Sequence, residues 1–511
     1  MAGNGNNKEF QARMKALELD KEGVKRQHKK GKLTALERIN LLLDDNSFME
    51  LDAFAELDNE DLKSKKRPRD GVITGYGTIN KRPIYIYAQD FTFMGGSMGE
   101  MHNKKIEKTF NQALKTGCPI IGLLDSGGAR IQEGISSLDS GGNIFRLNTM
   151  ASGVIPQISA ILGPCAGIAV YSPSLTDFIF MTKNISNMFI TGPDVIKTVT
   201  GEDINFEDLG GAKVHNEKSG VAHFMADNEK QCLQMIKLLL SYLPQNNLEN
   251  APYANMNDSA ERMNSSLKNI VPQSSKKTYD IRNVIKEVLD KRSFFEIQEY
   301  YAQNAVIGLG RLNNNSVGIV ATQPCVLAGC LDINSSGKIS RFVRFCDCFN
   351  IPLINFVDVT GYLPGSTQEH NGIIKHGAKI LYAYSEATVP KISLVIRKAY
   401  GGAYIALVSK DMGYDKVIAW PNAEIAVMGA EQAVSIVNKK ELTGKNKEKI
   451  RKERVEEYKK KFLNPYVAAQ QGRIDSIIEP KETRKTLIKC LEMLLNKRDK
   501  RPAKKHGNIP L

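Results

Sequence analysis

The sequence predicts an α/β chain of two tandem, homologous domains, and three observations carry that prediction. Apolar or β-branched runs such as Ile84-Tyr85-Ile86-Tyr87 and Ile120-Ile121-Gly122-Leu123-Leu124 alternate with glycine-rich turns and helical periodicity, the rhythm of strand, turn and helix. The order of these runs recurs in the second half with matched residues. At 511 residues, 42% hydrophobic and 25% charged, the chain has globular composition and length for two or three domains.

Residues 8–45 carry helical periodicity through Leu33, Leu36, Ile39, Leu42 and Leu43, which predicts an N-terminal helical arm. A strand at Ile84–Ala88 leads into the turn Gly95-Gly96-Ser97-Met98-Gly99 and a helix over Glu100–Lys115. A buried strand at Ile120–Leu124, the turn Asp125-Ser126-Gly127-Gly128, a helix, and a strand running into Gly167 complete the set.

In the second half Val317–Ala321 answers Ile84–Ala88, and Gly329, Pro352, Asp358 and Gly361 answer Gly96, Pro119, Asp125 and Gly128, each 233 residues later. Pro390–Ser393 matches Pro156–Ser159 at 234, and Gly402 is matched to Gly167 at 235. Shared α/β rhythm predicts the order of elements but not matched residues, so the register marks an internal duplication. It places an N-terminal domain at 1–250, a linker at 251–277 in a stretch rich in Asn, Ser and Pro, and a C-terminal domain at 278–511. The basic stretch Val437–Asn464 has no counterpart in the first half and reads as a surface excursion.

No apolar run approaches the roughly 20 residues of a membrane span, and Met1–Glu9 has no charged segment leading into an apolar one, so the expected location is the cytoplasm. The eight cysteines form no CxxC pair, which fits reduced thiols rather than disulfides or a zinc site. The net charge of +14 sits mostly in runs such as Lys439–Lys461 and Lys497–Lys505. Such runs are solvated helix faces and tails, and no nucleic-acid motif accompanies them.

Absences narrow the chemistry. There is no GxxxxGK[ST] loop, no GxGxxG after a strand and no HExxH, so nucleotide and metal chemistry lack their motifs. None of the seven histidines falls on a position shared between the halves. Gly95-Gly96-Ser97-Met98-Gly99 matches a nucleophile elbow formally, but Gln89–Met94 separates it from the strand and the second half has Cys330 in place of the serine. An elbow places its serine directly after the strand, so a shape-keeping glycine loop is the better reading.

The turns at Gly167 and Gly401-Gly402 differ in kind. Each follows an apolar strand and re-enters helix-compatible residues, and the first N–H groups of such a turn suit an oxygen that becomes negative during a reaction. Glycine turns after strands are common, so spacing alone leaves a purely structural role open.

Longer motifs add to this. Asp125-Ser126-Gly127-Gly128-Ala129-Arg130-Ile131-Gln132-Glu133-Gly134, Gly163-Pro164-Cys165-Ala166-Gly167, Phe189–Lys197, Gly361-Tyr362-Leu363-Pro364-Gly365, Arg397–Tyr404 and the closing Lys504–Leu511 together resemble the carboxyltransferase (β) subunits of biotin-dependent acyl-CoA carboxylases, of the propionyl-CoA carboxylase type. The likeness runs from about residue 10 to the C-terminus.

The resemblance implies two crotonase-like (ClpP/crotonase) domains, each a β-β-α superhelix. It implies transfer of a carboxyl group from carboxybiotin to the α-carbon of a short-chain acyl-CoA, propionyl-CoA with acetyl- or butyryl-CoA as further substrates. The N-domain would bind acyl-CoA and the C-domain biotin, in a hexamer built as a trimer of dimers. Carried over by residue, the amides of Gly167 and Ile168 would hold the thioester enolate, and those of Gly402 and Ala403 the ureido oxygen of biotin. Gly401 would join them in the biotin site. Gly96, Gly127, Gly128, Ala129 and Ile405 would lie against the acyl-CoA, Lys104 and Lys105 would be candidates for its phosphates, and no metal is implied.

Two departures stand out. Relatives usually carry Gly-Gly where this chain has Gly167-Ile168, and propionyl-type relatives often carry Asp where it has Ile405. The first narrows the space beside the thioester; the second points to an aliphatic wall for short acyl chains. Since no ATP motif or biotin-acceptor lysine context is present, a separate biotin carboxylase and biotin carrier, or one α subunit combining them, is expected. Two other readings stand beside this one: the corresponding subunit of a biotin-dependent decarboxylase or transcarboxylase acting on methylmalonyl-CoA, and a non-catalytic assembly protein of the same fold.

Overall fold

The structure, a computed structural model, describes residues 3–18, 20–57, 60–274, 277–442 and 446–511. Residues 275 and 276 of the predicted linker and 443–445 of the basic insertion lie outside the described residues. The chain divides into two units, Met1–Glu249 and Asn250–Leu511.

Unit 1 holds strands β1 (Met49–Leu51), β2 (Val72–Ile79), β3 (Arg82–Gln89), β4 (Ile120–Ser126), β5 (Gln157–Ala166), β6 (Phe178–Thr182), β7 (Asn187–Phe189) and β8 (Phe224–Ala226). They form one sheet in the order β1-β2-β3-β4-β5-β6-β8, with β7 also on β5. The first three are antiparallel and the rest pair in parallel. Parallel pairs need crossovers, and the helices Glu100–Thr116 and Ile135–Ala151 supply them between β3, β4 and β5. All seven residues of β4 are buried, which is why this stretch reads as an unbroken apolar run rather than an alternating one.

Unit 2 repeats the plan with β9 (Phe295–Ile297), β10 (Ala305–Leu312), β11 (Asn315–Thr322), β12 (Leu353–Val359), β13 (Lys391–Tyr400), β14 (Lys416–Ala419), β15 (Glu424–Ala426) and β16 (Ser476–Ile477). The sheet order is β16-β14-β13-β12-β11-β10-β9, with β15 on β13. Both halves break register at one place: between Leu124 and Ser126 in unit 1, and between Val357 and Val359 in unit 2.

The duplication is therefore real, and its register is corrected at one point. Gly167 (φ 57°) and Gly401 (φ 58°) each follow the last residue of β5 and β13, so the counterpart of Gly167 is Gly401 and that of Ile168 is Gly402. Matching identical letters at 235 absorbs one residue too many, because the glycine pair offers two letters for one backbone position.

The arm consists of the helices Gly3–Ala16, Lys21–Lys29 and Ala35–Leu42. Thr34 and Glu37 form a capping box at the third of these, a device worth about 1 kcal/mol. Arg38, fully buried, reaches Asp125 at 3.0 Å and Glu229 at 2.8 Å. Lys32 Nζ and Gln27 Nε2 also donate to Asp125, at 2.7 and 3.2 Å. The arm thus supplies the cations that a carboxylate inside unit 1 requires.

The segment read as a linker belongs to unit 2 and is fastened to it. The fully buried Arg484 donates to Ser259 O and Val288 O and pairs with Asp290 at 2.7 Å, while Arg262 donates to Glu287 O and Leu289 O. A composition rich in Asn, Ser and Pro does not reveal this tethering, because the arginines that hold the segment are scattered along the chain.

Candidate functional site

In unit 2, β13 ends at Tyr400 and the helix Gly401–Val408 begins with no side chain capping it. Helix geometry leaves the N–H groups of Gly401, Gly402 and Ala403 without intrahelical acceptors. Gly401 holds a left-handed φ of 58°, a conformation costly to residues with a Cβ. Unit 1 builds the same corner from Gly167, the 3-10 turn Gly167–Val170 and the helix Tyr171–Leu175, again without a side-chain cap. Each unit therefore presents a small cluster of amide donors at the end of a central strand.

The glycine loops lie beside these corners. Gly127 N donates to Gly95 O at 2.9 Å, Met98 N to Gly128 O at 2.8 Å, and Arg130 N to Met98 O at 2.9 Å. Gly96 and Gly128 are buried, whereas Gly127 is exposed and Ala129 half-buried. Gly96 and Gly128 therefore set the shape and the other two present the surface. A Cβ on Gly128 would stand 2.8 Å from Ala166 O, the residue before Gly167, which puts the Gly127–Ala129 loop against the unit 1 corner. A Cβ on Gly96, whose φ is 64°, would stand 2.1 Å from Asp125 O. Strain and clash together give an expected loss of about 2–4 kcal/mol for Gly96→Ala, to be read from a denaturant midpoint; a shift under about 1 kcal/mol would show that the loop can move.

Arg130 locks the loops. Its guanidinium is fully buried, pairs with Asp70 and Glu133 at 2.7 Å each, and donates to Ser97 O at 3.0 Å. Ser97 Oγ accepts from Arg130 Nε at 3.3 Å, and among the described residues no histidine bonds to it, so the elbow reading has no base to activate the serine. His102 is enclosed beside Asp70 O and Gln89, and burial drives its pKa down to about 3.

Lys104 and Lys105 separate sharply. Lys104 pairs with Glu100 on the surface at 2.7 Å. Lys105 points inward, donating to Val72 O at 2.6 Å and Arg69 O at 3.1 Å, with burial lowering its pKa to about 8. Lys338 repeats this 233 residues on, donating to Gln298 O, Tyr301 O and Ala305 O, and is lowered to about 7. Lys105 is an internal tie between a helix and the strand entering the sheet, which corrects the expectation that it meets phosphate.

A cleft of about 1240 Å³ opens at the unit 2 corner, with Gly401 and Gly402 on its lining and Ile405, 48% exposed, on its wall. The ring of Tyr362 lies alongside, 3.5 Å from where a Cβ on Gly402 would stand. The opposite side comes from the basic insertion: the helix Lys447–Phe462 contributes Arg454, Tyr458 and Phe462. Val455 and Leu463 bury themselves with Tyr400 and Val434, which turns the helix so that its aromatic residues face the cleft. The insertion is thus a wall of the site and not a surface excursion. The spacing Val455, Tyr458, Phe462 was the available signal, hidden by the surrounding lysines.

In unit 1 the Ile168 side chain runs onto the helix Ile135–Ala151, where a Cβ on Gly141 would stand 2.6 Å from Ile168 Cδ1. Gly141 therefore receives the branched chain that stands where unit 2 has Gly402. Among the described residues no group of His, Cys, Asp or Glu is arranged to hold a metal, and no helix is long and apolar enough to cross a membrane.

Two amide-lined corners, each ending a central strand of duplicated α/β units, have the form that backbone stabilisation of an oxyanion requires. The profile of the carboxyl transferase domain family matches residues 26–509, and the chain belongs to that family. It is 57% identical over 488 residues to the propionyl-CoA carboxylase carboxyltransferase subunit of Haloferax mediterranei, covering 95% of each chain. It is 55% identical over 490 residues to the methylmalonyl-CoA decarboxylase subunit alpha of Veillonella parvula, covering 96% of this chain and 95% of that one. The crystal structure of transcarboxylase 12S, described as a hexamer assembly with methylmalonyl-coenzyme A and methylmalonic acid bound, superposes with a TM-score of 0.96 at 51% identity, over 100% of this chain and 98% of that one. The fold is accordingly that of the crotonase-type carboxyltransferases, two domains in tandem, and the chain is a carboxyltransferase.

Proposed function

We propose that the chain transfers a carboxyl group from carboxybiotin, presented by a separate carrier protein, to the α-carbon of a short-chain acyl-CoA. The observation that carries this reading is the pair of uncapped strand-to-helix corners at Gly167 and Gly401. The chemistry is biotin-dependent and acts on CoA thioesters, as in the carboxylase and transcarboxylase relatives.

The amides of Gly167 and Ile168 face the thioester oxygen as negative charge builds on it during removal of the α-proton. Gly127 and Ala129 offer close backbone contact to the CoA portion, with Gly96 and Gly128 holding the loop's shape. In unit 2 the donor set fits a flat ring carrying one carbonyl: Gly402 and Ala403 supply amides, Gly401 permits the turn, and Tyr362 and Ile405 give apolar walls. Bound carboxybiotin supplies the carboxyl group and the base, so no side-chain base is required. Each amide donor is worth about 2.7–4 kcal/mol of transition-state stabilisation.

Ile405 also meets the acyl chain, since carboxyl transfer brings the α-carbon against the bound ring, and so sets the acyl-chain preference. Ile405→Asp places a charge on an apolar wall and is expected to change the relative rates with acetyl-, propionyl- and butyryl-CoA about tenfold; identical ratios in both proteins would refute the assignment. The working assembly is a homohexamer, a trimer of dimers, in the cytoplasm, served by a biotin carboxylase and biotin carrier α subunit.

The test is carboxyl transfer to free biotin from malonyl-, methylmalonyl- and ethylmalonyl-CoA. Transfer from at least one supports the reading; binding without transfer favours a non-catalytic assembly protein. The decarboxylase relative favours a second reading, the same half-reaction run from methylmalonyl-CoA, and coexpression with a membrane decarboxylase subunit distinguishes the two.

A further inference from the structure

The register break near the end of β12 holds a carboxylate with no role in the scheme above. Val357 pairs with Val395 and Val359 with Ala399, so β13 advances four residues while β12 advances two. Such an irregularity leaves backbone amides without ladder partners unless a side chain meets them. Asp358 sits at the break, 2% exposed, and its Oδ1 accepts from Lys398 N at 3.1 Å.

The carboxylate is itself held firmly. Tyr279 Oη donates to Oδ2 at 3.0 Å. Arg397 Nε lies 3.0 Å from the same oxygen as an ion pair, off the hydrogen-bond axis, and Arg397 Nη1 donates to Ser274 O and Lys277 O. The Asp358 main chain reaches the other way, its N–H donating to Thr322 Oγ1 at 2.9 Å and its carbonyl lying over Gly329. Three residues beyond Lys398, Gly401 opens the helix that carries the amide donors.

Unit 1 contains the same break, with Leu124 on Ile161 and Ser126 on Cys165, and Asp125 sits in it. There the residue equivalent to Lys398 is Pro164, which pairs with Asn187 on β7 as Lys398 pairs with Glu424 on β15. Proline has no N–H to offer, and Asp125 turns instead to Gln27, Lys32 and Arg38. The amide tether is particular to unit 2.

We propose that Asp358 is a positioning residue: by accepting the Lys398 N–H it fixes the path of β13 into Gly401, and so aims the Gly402 and Ala403 amides at the oxygen they stabilise. This rests on the function proposed above for those amides. Charge-assisted bonds to backbone N–H are short and strong, and a displacement of about 1 Å at a reacting group can cost about a hundredfold in rate.

The experiment measures carboxyl transfer from methylmalonyl-CoA to free biotin, on the full chain, with thioester affinity measured separately by calorimetry. Asp358→Ala is expected to lower kcat about a hundredfold while the Kd for the thioester stays within about twofold. Asp358→Asn keeps an oxygen that accepts from Lys398 and is expected to retain at least about a tenth of the activity. Because Asp358→Ala also strands Arg397, Lys398→Pro provides a second arm: it copies Pro164, leaves the Asp358–Arg397 pair in place and should lower kcat at least about tenfold. Either the alanine or the proline variant keeping kcat within twofold overturns the proposal. Equal losses in kcat and thioester affinity overturn it as well, since they mark a general loss of fold. Ala403→Pro run alongside separates the layers: if it leaves transfer intact, the amide reading itself fails; if it abolishes transfer while the Asp358 and Lys398 variants do not, only the positioning role falls.

Discussion

Ala403→Pro is expected to lower carboxyl transfer about 10²–10³-fold while acyl-CoA affinity stays within about twofold. Ala403 is the third residue of the helix Gly401–Val408, where its N–H has no intrahelical use. Proline in the first turn of a helix is tolerated for the same reason, so the substitution removes a donor without removing a helical hydrogen bond. The side chain is fully buried, and the ring must fit where a methyl group now sits, so thermal unfolding of the variant should be checked beside its kinetics. Steady-state transfer to free biotin and calorimetric titration with propionyl-CoA decide the matter. Unchanged transfer would remove the oxyanion assignment at this corner.

Arg130→Met is expected to destabilise the protein by about 3–5 kcal/mol, the usual consequence of stripping one partner from a buried ion pair. Arg130 sits between Asp70 and Glu133, all three nearly or fully buried. Glu133 also accepts from Glu100 N at 2.7 Å and Asp70 from His102 N at 3.0 Å. The carboxylates would keep those amides and lose the guanidinium they share, leaving two buried negative charges near each other. Since Arg130 also grips Ser97 O, the loops Gly95–Gly99 and Gly127–Ala129 should lose their mutual register, raising the Kd for acyl-CoA at least about tenfold. Denaturant unfolding and calorimetry read the two effects. A stability change below about 1 kcal/mol would mean that water or a neighbouring cation replaces the guanidinium.

Most of the architecture was legible because duplication wrote it twice. Strand runs at Ile84–Ala88 and Ile120–Leu124 fall inside β3 and β4, and their repeats fall inside β11 and β12, since a strand buried on both faces leaves an unbroken apolar signature. The corners at Gly167 and Gly401 were legible as turns, but letter matching chose the wrong glycine of a pair, which only backbone dihedrals distinguish. Side-chain direction was not legible at all. Lys104 and Lys105 are adjacent and chemically identical, yet one lies in solvent and the other ends among carbonyls, because neighbours on a helix differ by about 100° in facing. Asp125 and Asp358 were visible as matched letters; their task was not, since a register break leaves no mark in composition. The insertion hid its apolar spacing under a run of lysines, and the segment after residue 250 hid its anchorage because its ties come from Arg484, more than 200 positions away.

The arm and the two aspartates together bear on how far the copies have parted. Asp125 is neutralised by residues that precede its own repeat, whereas Asp358 is served by Arg397 and Tyr279 from inside its unit. A β4 segment transplanted into the second half would find a tyrosine and an arginine set for a different carboxylate, and a β12 segment in the first half would meet Pro164 where it needs an amide. The halves share a fold but are no longer exchangeable parts, and any hybrid of them must carry its aspartate's partners along with the strand.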